Sequence, residues 1–413
     1  MSDEVTRWLA RAALPLSGLT AGGSTADLQP LKSILDGVRI VGMGEATHGT
    51  SEFFRLKHRL LEFLVEEMGF SVLAMEAAAS AAPAVDAYVR HGAGDAEGVL
   101  AGLGFWTWRT REVLGLIEWM REYNRGRPED RKVRFVGIDP QQCGASLAAL
   151  GSFLRKVAPD REAGVLSPLR VLATAYPGAH PDPERRLVRD AEELVGFLRG
   201  HGPGAADALG HARILVRAAD LVTRPRQHTD PGQTVFAARD RYMAEAVGEL
   251  LTDPSTKIAL WAHNGHITKT RYGGAVPAMG QHLRARFGDA YYALGFLFGS
   301  GSFRARRTWP GPWSRPGAGA VVTHRLGPAG PDTLEARLAT AYPGDHLVDL
   351  RDTANAPAAV REWLNGRHHM RSFGAVVPRW TYRLHFSPVS PAEEYDGLAY
   401  VAVSTGSRPL PAS

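Results

Sequence analysis

Five apolar runs rich in β-branched residues, Val38–Met43, Phe70–Met75, Val133–Ile138, Lys257–Trp261 and Tyr291–Phe298, recur along the chain with helical patterns between most of them. Strands that alternate with helices predict a largely parallel sheet, because each parallel connection needs a long crossover and the crossover helix covers a face of the sheet. The stretch from about Ser146 to Leu251 breaks this rhythm: it is rich in Ala, Leu and Arg, has helical periodicity and offers no strand-like run. The expected organisation is an α/β core of residues 1–145 and 252–413, with a central, largely parallel mixed sheet covered by helices. Residues 146–251 form a helical insertion over the carboxyl edge of the strands. Beyond a Pro/Gly-rich stretch, TWPGPWSRPGAG, short strands near Ala320–Leu326 and Leu398–Val403 and helices near Thr333–Ala341 and Ala356–Asn365 are expected to extend the same sheet.

A 413-residue chain with 44% hydrophobic content can bury a substantial core. Its net charge of +5 comes from arginines scattered among acids, without a basic block, so nucleic acid is not an expected partner. The single cysteine, Cys143, excludes an intramolecular disulfide framework and suits a reducing, cytoplasmic setting; it is expected as a small buried side chain. No apolar run reaches the length of a membrane span and the N-terminus lacks a secretory core, so a membrane is not an expected partner either.

The ionisable residues fall at the ends of the apolar runs. Glu45 and His48 follow the first, Glu76 closes the second, Asp139 closes the third, and His263 and His266 follow the fourth. Parallel strands would collect all six along the carboxyl edge, where open α/β sheets hold their ligands. A strand-terminal acid can also simply cap the next helix; the repetition over four strands favours a shared site. In the helix expected at Ser51–Met68, Phe53, Leu56, Leu60 and Leu64 define an apolar stripe that contains Lys57, whereas Arg55 falls opposite. Lys57 is therefore expected to point inward as the cation for Glu76 or Glu45, unless its stem snorkels out. Trp106, Trp108 and Arg109 in FWTWRT could wall an apolar ligand, although core packing explains the aromatics equally well.

No G-x-S-x-G elbow is present, and the glycines at 42 and 44 lack the third member of a dinucleotide fingerprint, so neither a serine hydrolase nor a nucleotide cofactor is signalled. Two chemistries remain. A histidine flanked by carboxylates can take a proton from water, needing no cofactor and no metal. Alternatively, three histidines and three carboxylates could ligate zinc, iron or manganese.

The run VGMGEATHGTSEFFRLKHRLLEFLVEEMGFSVLAMEA, followed by WTWRTREVLGLIEWMREYN, FVGIDPQ, RDRYMAEAV and WAHNGHI, closely resembles the erythromycin esterase family, as does the ending YDGLAYVAVSTGSRPL. The resemblance implies a metal-independent esterase acting on a bulky apolar small molecule such as a macrolide. His48 would be the general base, Glu45 and Glu76 its carboxylate partners, and His263 and His266 the remaining polar wall. Lys57 stands where macrolide esterases can carry arginine, and Ala246 where an asparagine is common. The family's reach leaves two other outcomes: a natural-product biosynthetic enzyme using the same cluster for dehydration, cyclisation or epoxide opening, and a relative that only binds its ligand.

Overall fold

A computed structural model describes residues 2–272, 275–308, 319–351, 353 and 356–411. The chain divides into two compact units, one of residues 1–73, 109–116 and 251–413, the other of residues 74–108 and 117–250. In chain order the strands are β1 (Ala13–Pro15), β2 (Ile40–Met43), β3 (Val72–Ala78), β4 (Arg134–Asp139), β5 (Ile258–Trp261), β6 (Arg271–Tyr272), β7 (Val276–Pro277), β8 (Tyr291–Thr308), β9 (Val321–Leu326), β10 (His346–Asp349), β11 (His368–Arg371), β12 (Val376–Pro378), β13 (Phe386–Val389) and β14 (Gly397–Ser404).

In the first unit the sheet runs β1-β10-β14-β8-β2-β5. Parallel pairs join β14 to β8, β8 to β2 and β2 to β5, while β1, β10 and β14 pair antiparallel. The sheet is thus mixed and mostly parallel, with helices around it. The central strands read as unbroken apolar runs because both their faces are covered; every residue of β2 and β5 is buried. All five expected runs become strands, with edges shifted by a few residues. The largest shift is in β8, which continues ten residues past Phe298 to Thr308. Its second half, SGSFRARRT, is not an apolar run, and it is strand because β9 and β12 supply its hydrogen bonds. The Pro/Gly-rich stretch that follows lies mostly outside the described residues.

The helix Ser51–Met68 follows β2 and ends on Gly69, whose φ of 74° is the left-handed conformation that terminates helices readily only at glycine. Its buried stripe packs on the sheet: the Phe53 ring meets Phe296 edge-on at 5.6 Å, and Phe54 meets Trp261 at 5.1 Å. Aromatic anchors of this size cost about 3–5 kcal/mol when truncated to alanine.

In the second unit β4 neighbours β3. Residues 146–251 contain helices and, among those described, no strand. The helices Gly144–Val157, Arg186–Arg199 and Ala206–Thr223 share a core that includes Leu150, Leu154, Leu194, Leu198 and Leu215. Cys143 belongs to this core, and burial pushes its thiol up to about 12, which leaves it a protonated, inert side chain.

One buried carboxyl makes the first unit sensitive to pH. Glu335, in the first turn of the helix Leu334–Ala341, is wholly buried; its Oε1 accepts the Arg371 amide at 2.7 Å, and its Oε2 has no hydrogen-bond partner among the described residues. Burial pushes this carboxyl up to about 7, against the pull of the Arg371 amide and guanidinium. A carboxyl raised on folding contributes stability that is complete below its ordinary value near 4.5 and lost as pH rises through about 7. Glu335→Gln should therefore match the native protein in unfolding free energy from urea titration at pH 4.5 and exceed it at pH 8, by up to about 3 kcal/mol. Equal effects at both values would show that Glu335 does not titrate in the fold.

Candidate active site

The loop after β2 is held by backbone on all sides. The Gly44 amide donates to Leu294 O at 2.8 Å, the Asn264 amide to Glu45 O at 2.9 Å, the Phe373 amide to Ala46 O at 2.7 Å, and the Arg304 amide to Gly49 O at 2.9 Å. Two glycines of GMGEATHG are required by this closeness: a Cβ on Gly44 would lie 2.0 Å from Asn264 Oδ1, and one on Gly49 1.9 Å from Arg304 O.

This cage presents a linear relay. Glu45 is wholly buried. Its Oε1 lies 2.6 Å from His48 Nδ1, and its Oε2 accepts Lys57 Nζ at 2.7 Å and Trp261 Nε1 at 3.0 Å. Lys57 is itself fully buried, 4.4 Å from the centroid of the Trp261 ring and 5.4 Å from that of Phe296. The inward direction expected for Lys57 is what the structure shows, with Glu45 as its carboxylate. A carboxylate can only accept, so His48 carries a proton on the Nδ1 that faces Glu45. The His48 side chain is 11% exposed.

The segment after β5 completes the cluster in this unit. His263 caps the short helix Asn264–Ile267, its Nδ1 accepting the Gly265 amide at 3.1 Å. Its Nε2 therefore carries the hydrogen, which it donates to Phe373 O at 3.1 Å. The His263 ring stands 5.0 Å from that of His48 and 6.4 Å from that of His266. Asn264 exchanges two hydrogen bonds with the Phe296 backbone, at 2.9 and 3.0 Å, tying the end of β5 to β8. Both His263 nitrogens are directed at backbone groups, and among the described residues no set of three His, Cys, Asp or Glu side chains is arranged to hold a metal ion.

The second unit brings Glu76 and Asp139 together through a residue that strand-end reasoning did not single out. Arg239 Nη2 donates to Glu76 Oε1 and Asp139 Oδ2, both at 2.7 Å. Burial alone would lower the Arg239 guanidinium, but Asp139 and Glu76 beside it more than offset that and raise it, so it stays charged. Asp139 also accepts the Gln141 amide at 3.1 Å and the Gln141 side chain at 2.7 Å. Trp108 is buried and Trp106 half-buried in this unit. Arg109 belongs to the first unit, where its Nη2 donates to Pro411 O at 2.6 Å near the end of the chain.

Trp261, Asn264, Phe373 and Arg239 hydrogen-bond within these clusters and are positions that the sequence did not mark. Arg239 did lie inside the quoted motif RDRYMAEAV, and an arginine at that helical position was the available signal.

The chain is 28% identical to erythromycin esterase type I of Escherichia coli over 384 residues, covering 85% of this chain and 89% of that one. It is 26% identical to erythromycin esterase type II of Escherichia coli over 314 residues, 67% of this chain and 72% of the relative. A solved structure described as a succinoglycan biosynthesis protein superposes with a TM-score of 0.81 at 22% identity, over 99% of this chain and 98% of that one, a likeness in fold alone. The family profile described as Erythromycin esterase matches residues 65–404, most of the chain, and the protein belongs to the erythromycin esterase family of hydrolases.

Proposed function

We propose that the protein hydrolyses an ester or macrolactone by direct attack of a water that His48 activates. The observation that supports this reading is the 2.6 Å contact between His48 Nδ1 and Glu45 Oε1, which holds a proton on Nδ1, so that Nε2 is the nitrogen proposed to act as the base. Water gives its proton to Nε2 as its oxygen adds to the carbonyl carbon, and the proton then passes to the departing alkoxide, so a lactone opens to a hydroxy acid. Glu45 lies where positive charge develops on the imidazole, and Lys57 and Trp261 prevent its carboxylate from turning away. His263 acts as a positioning residue, its own nitrogens committed to Gly265 and Phe373 and its ring 5.0 Å from that of His48. Glu76 takes the part of the second carboxylate that the family resemblance implies, held in orientation by Arg239. His266, Asp139, Trp106, Trp108 and Arg109 are assigned to substrate contact. The substrate is a bulky, apolar small molecule of macrolide or polyketide type.

His48→Ala should retain the native thermal unfolding profile and lose on the order of a hundredfold to ten-thousandfold in kcat. Near-normal turnover of an ester by that variant would remove His48 from the chemistry.

Lys57 tests the ion pair separately. Lys57→Met leaves a buried carboxylate without its cation and should destabilise the fold by about 3–5 kcal/mol in urea titration. Lys57→Arg keeps the charge and should stay nearer the native protein in both stability and kcat. Equal behaviour of the two variants would show that the charge is not what the site needs.

The same base could begin a dehydration, cyclisation or epoxide opening, and product mass separates these reactions. With a panel of macrolides, chromatography and mass spectrometry should show a product heavier by one water. Loss of water or an isomer of unchanged mass would assign the acid/base cluster to another reaction, and unaltered macrolides with saturable binding would assign a binding role.

A further inference from the structure

The net charge of +5 is not spread evenly. Residues 290–331 and 363–392 contain nine arginines and no aspartate or glutamate, so the remainder of the chain is net negative. The first unit joins these two acid-free segments. β8 pairs antiparallel with β9, placing Ser302 opposite Arg325, Arg304 opposite Thr323 and Arg306 opposite Val321, and it pairs parallel with β12, placing Val376 beside Arg306. Paired residues and those two apart share a face, so Arg304, Arg306, Arg325 and Val376 lie on one side of this blade. The other side is closed by aromatic packing, with Phe303 stacked on Phe373 at 4.5 Å and on His324 at 5.4 Å, and Tyr382 edge-on to His324 at 4.8 Å.

Arg306, Arg307, Arg325 and Arg383 have no carboxylate partner among the described residues. Large apolar side chains are exposed in the same segment: Val376 at 45%, Trp380 at 62% and Leu384 at 75%. The Arg379 guanidinium lies 5.6 Å from the Trp380 ring, and that of Arg383 5.4 Å from the Tyr382 ring.

We propose that this blade docks peripherally on an anionic lipid surface. Soluble polyanions would use the arginines and the flat aromatic rings, but exposed Val376 and Leu384 gain nothing from a glycan or a nucleic acid. A bilayer interface takes both sets, the arginines among anionic headgroups and the apolar side chains just below them. No helix among the described residues is long and apolar enough to cross a membrane, so the contact is with the surface. The blade is also continuous with the catalytic loop, since the Phe373 amide holds Ala46 O and its carbonyl receives His263 Nε2 three residues before β12 begins. Docking would bring that loop close to the phase into which apolar substrates partition.

The test is co-sedimentation of the full chain with vesicles of phosphatidylcholine alone or with about 30% phosphatidylglycerol. Binding is expected only to the anionic vesicles at low salt, and should be released near 0.5 M salt, where the screening length falls to roughly 4 Å. Arg306→Glu/Arg325→Glu should lower the bound fraction at least about tenfold. Trp380→Ser/Leu384→Ser should weaken binding while preserving its salt dependence, and both double variants should keep the native thermal unfolding profile. Failure of the native protein to sediment with anionic vesicles overturns the proposal, as does vesicle binding that neither double variant weakens. Tighter binding to heparin or duplex DNA than to the vesicles, unaffected by Trp380→Ser/Leu384→Ser, would assign the surface to a soluble polyanion and overturn it equally.

Discussion

The buried ion pair of Lys57 and Glu45 is the constraint around which the first unit is arranged. Both side chains are withdrawn from water, a cost of several kcal/mol per ion that their mutual attraction offsets only when every remaining donor and acceptor is satisfied. The surroundings meet that condition. Glu45 Oε2 receives Nζ and the Trp261 indole, Oε1 faces His48, and Nζ lies against the faces of Trp261 and Phe296. Three segments must therefore be in register before the pair can form: the loop after β2, the helix Ser51–Met68 and the end of β5. Apolar residues of similar volume would hold these segments together as well or better. The retention of charge is explained by what it does to His48, whose Nδ1 proton and ring orientation follow from a carboxylate that cannot rotate.

That arrangement requires backbone to approach backbone. The absence of a side chain at Gly44 and Gly49 admits Asn264 Oδ1 and Arg304 O to distances that a Cβ would forbid. Asn264 then spans β5 and β8 with a reciprocal pair of hydrogen bonds, and His263, next to it, is locked by Gly265 on one nitrogen and Phe373 O on the other. Rigid support of this kind is what the proposed general base requires, because it must meet a water and a carbonyl carbon in one fixed geometry.

Much of this is legible in the sequence. Strands buried on both faces appear as unbroken apolar runs, which is why β2, β3, β4, β5 and the first half of β8 could be located from sequence, and the apolar stripe of Ser51–Met68 placed Lys57 inside by angle alone. The spacing of Glu45 and His48 put both in one short loop after a strand. Other features were hidden for a common reason: they are defined by a partner distant in sequence. β1 and β10 are too short to show a period; β1 is a strand because β10 pairs with it, and β10 because β1 and β14 both do. The second half of β8 alternates polar and small residues and takes its conformation from β9 and β12. Phe373 contributes a carbonyl, which no side-chain pattern reveals. Trp261 looks like one more apolar residue of a buried strand until its indole nitrogen finds Glu45.

Arg239 shows how the same physics recurs with a different balance. In the first unit one cation faces one carboxylate, and the pair is neutral apart from His48. In the second, one guanidinium serves two carboxylates, Glu76 and Asp139, through a single nitrogen at 2.7 Å from each. A planar guanidinium can serve two acceptors while its remaining N–H groups point elsewhere, whereas an ammonium suits the compact aromatic pocket around Glu45. The choice of cation therefore follows the number of acids to be held and the shape of the space around them.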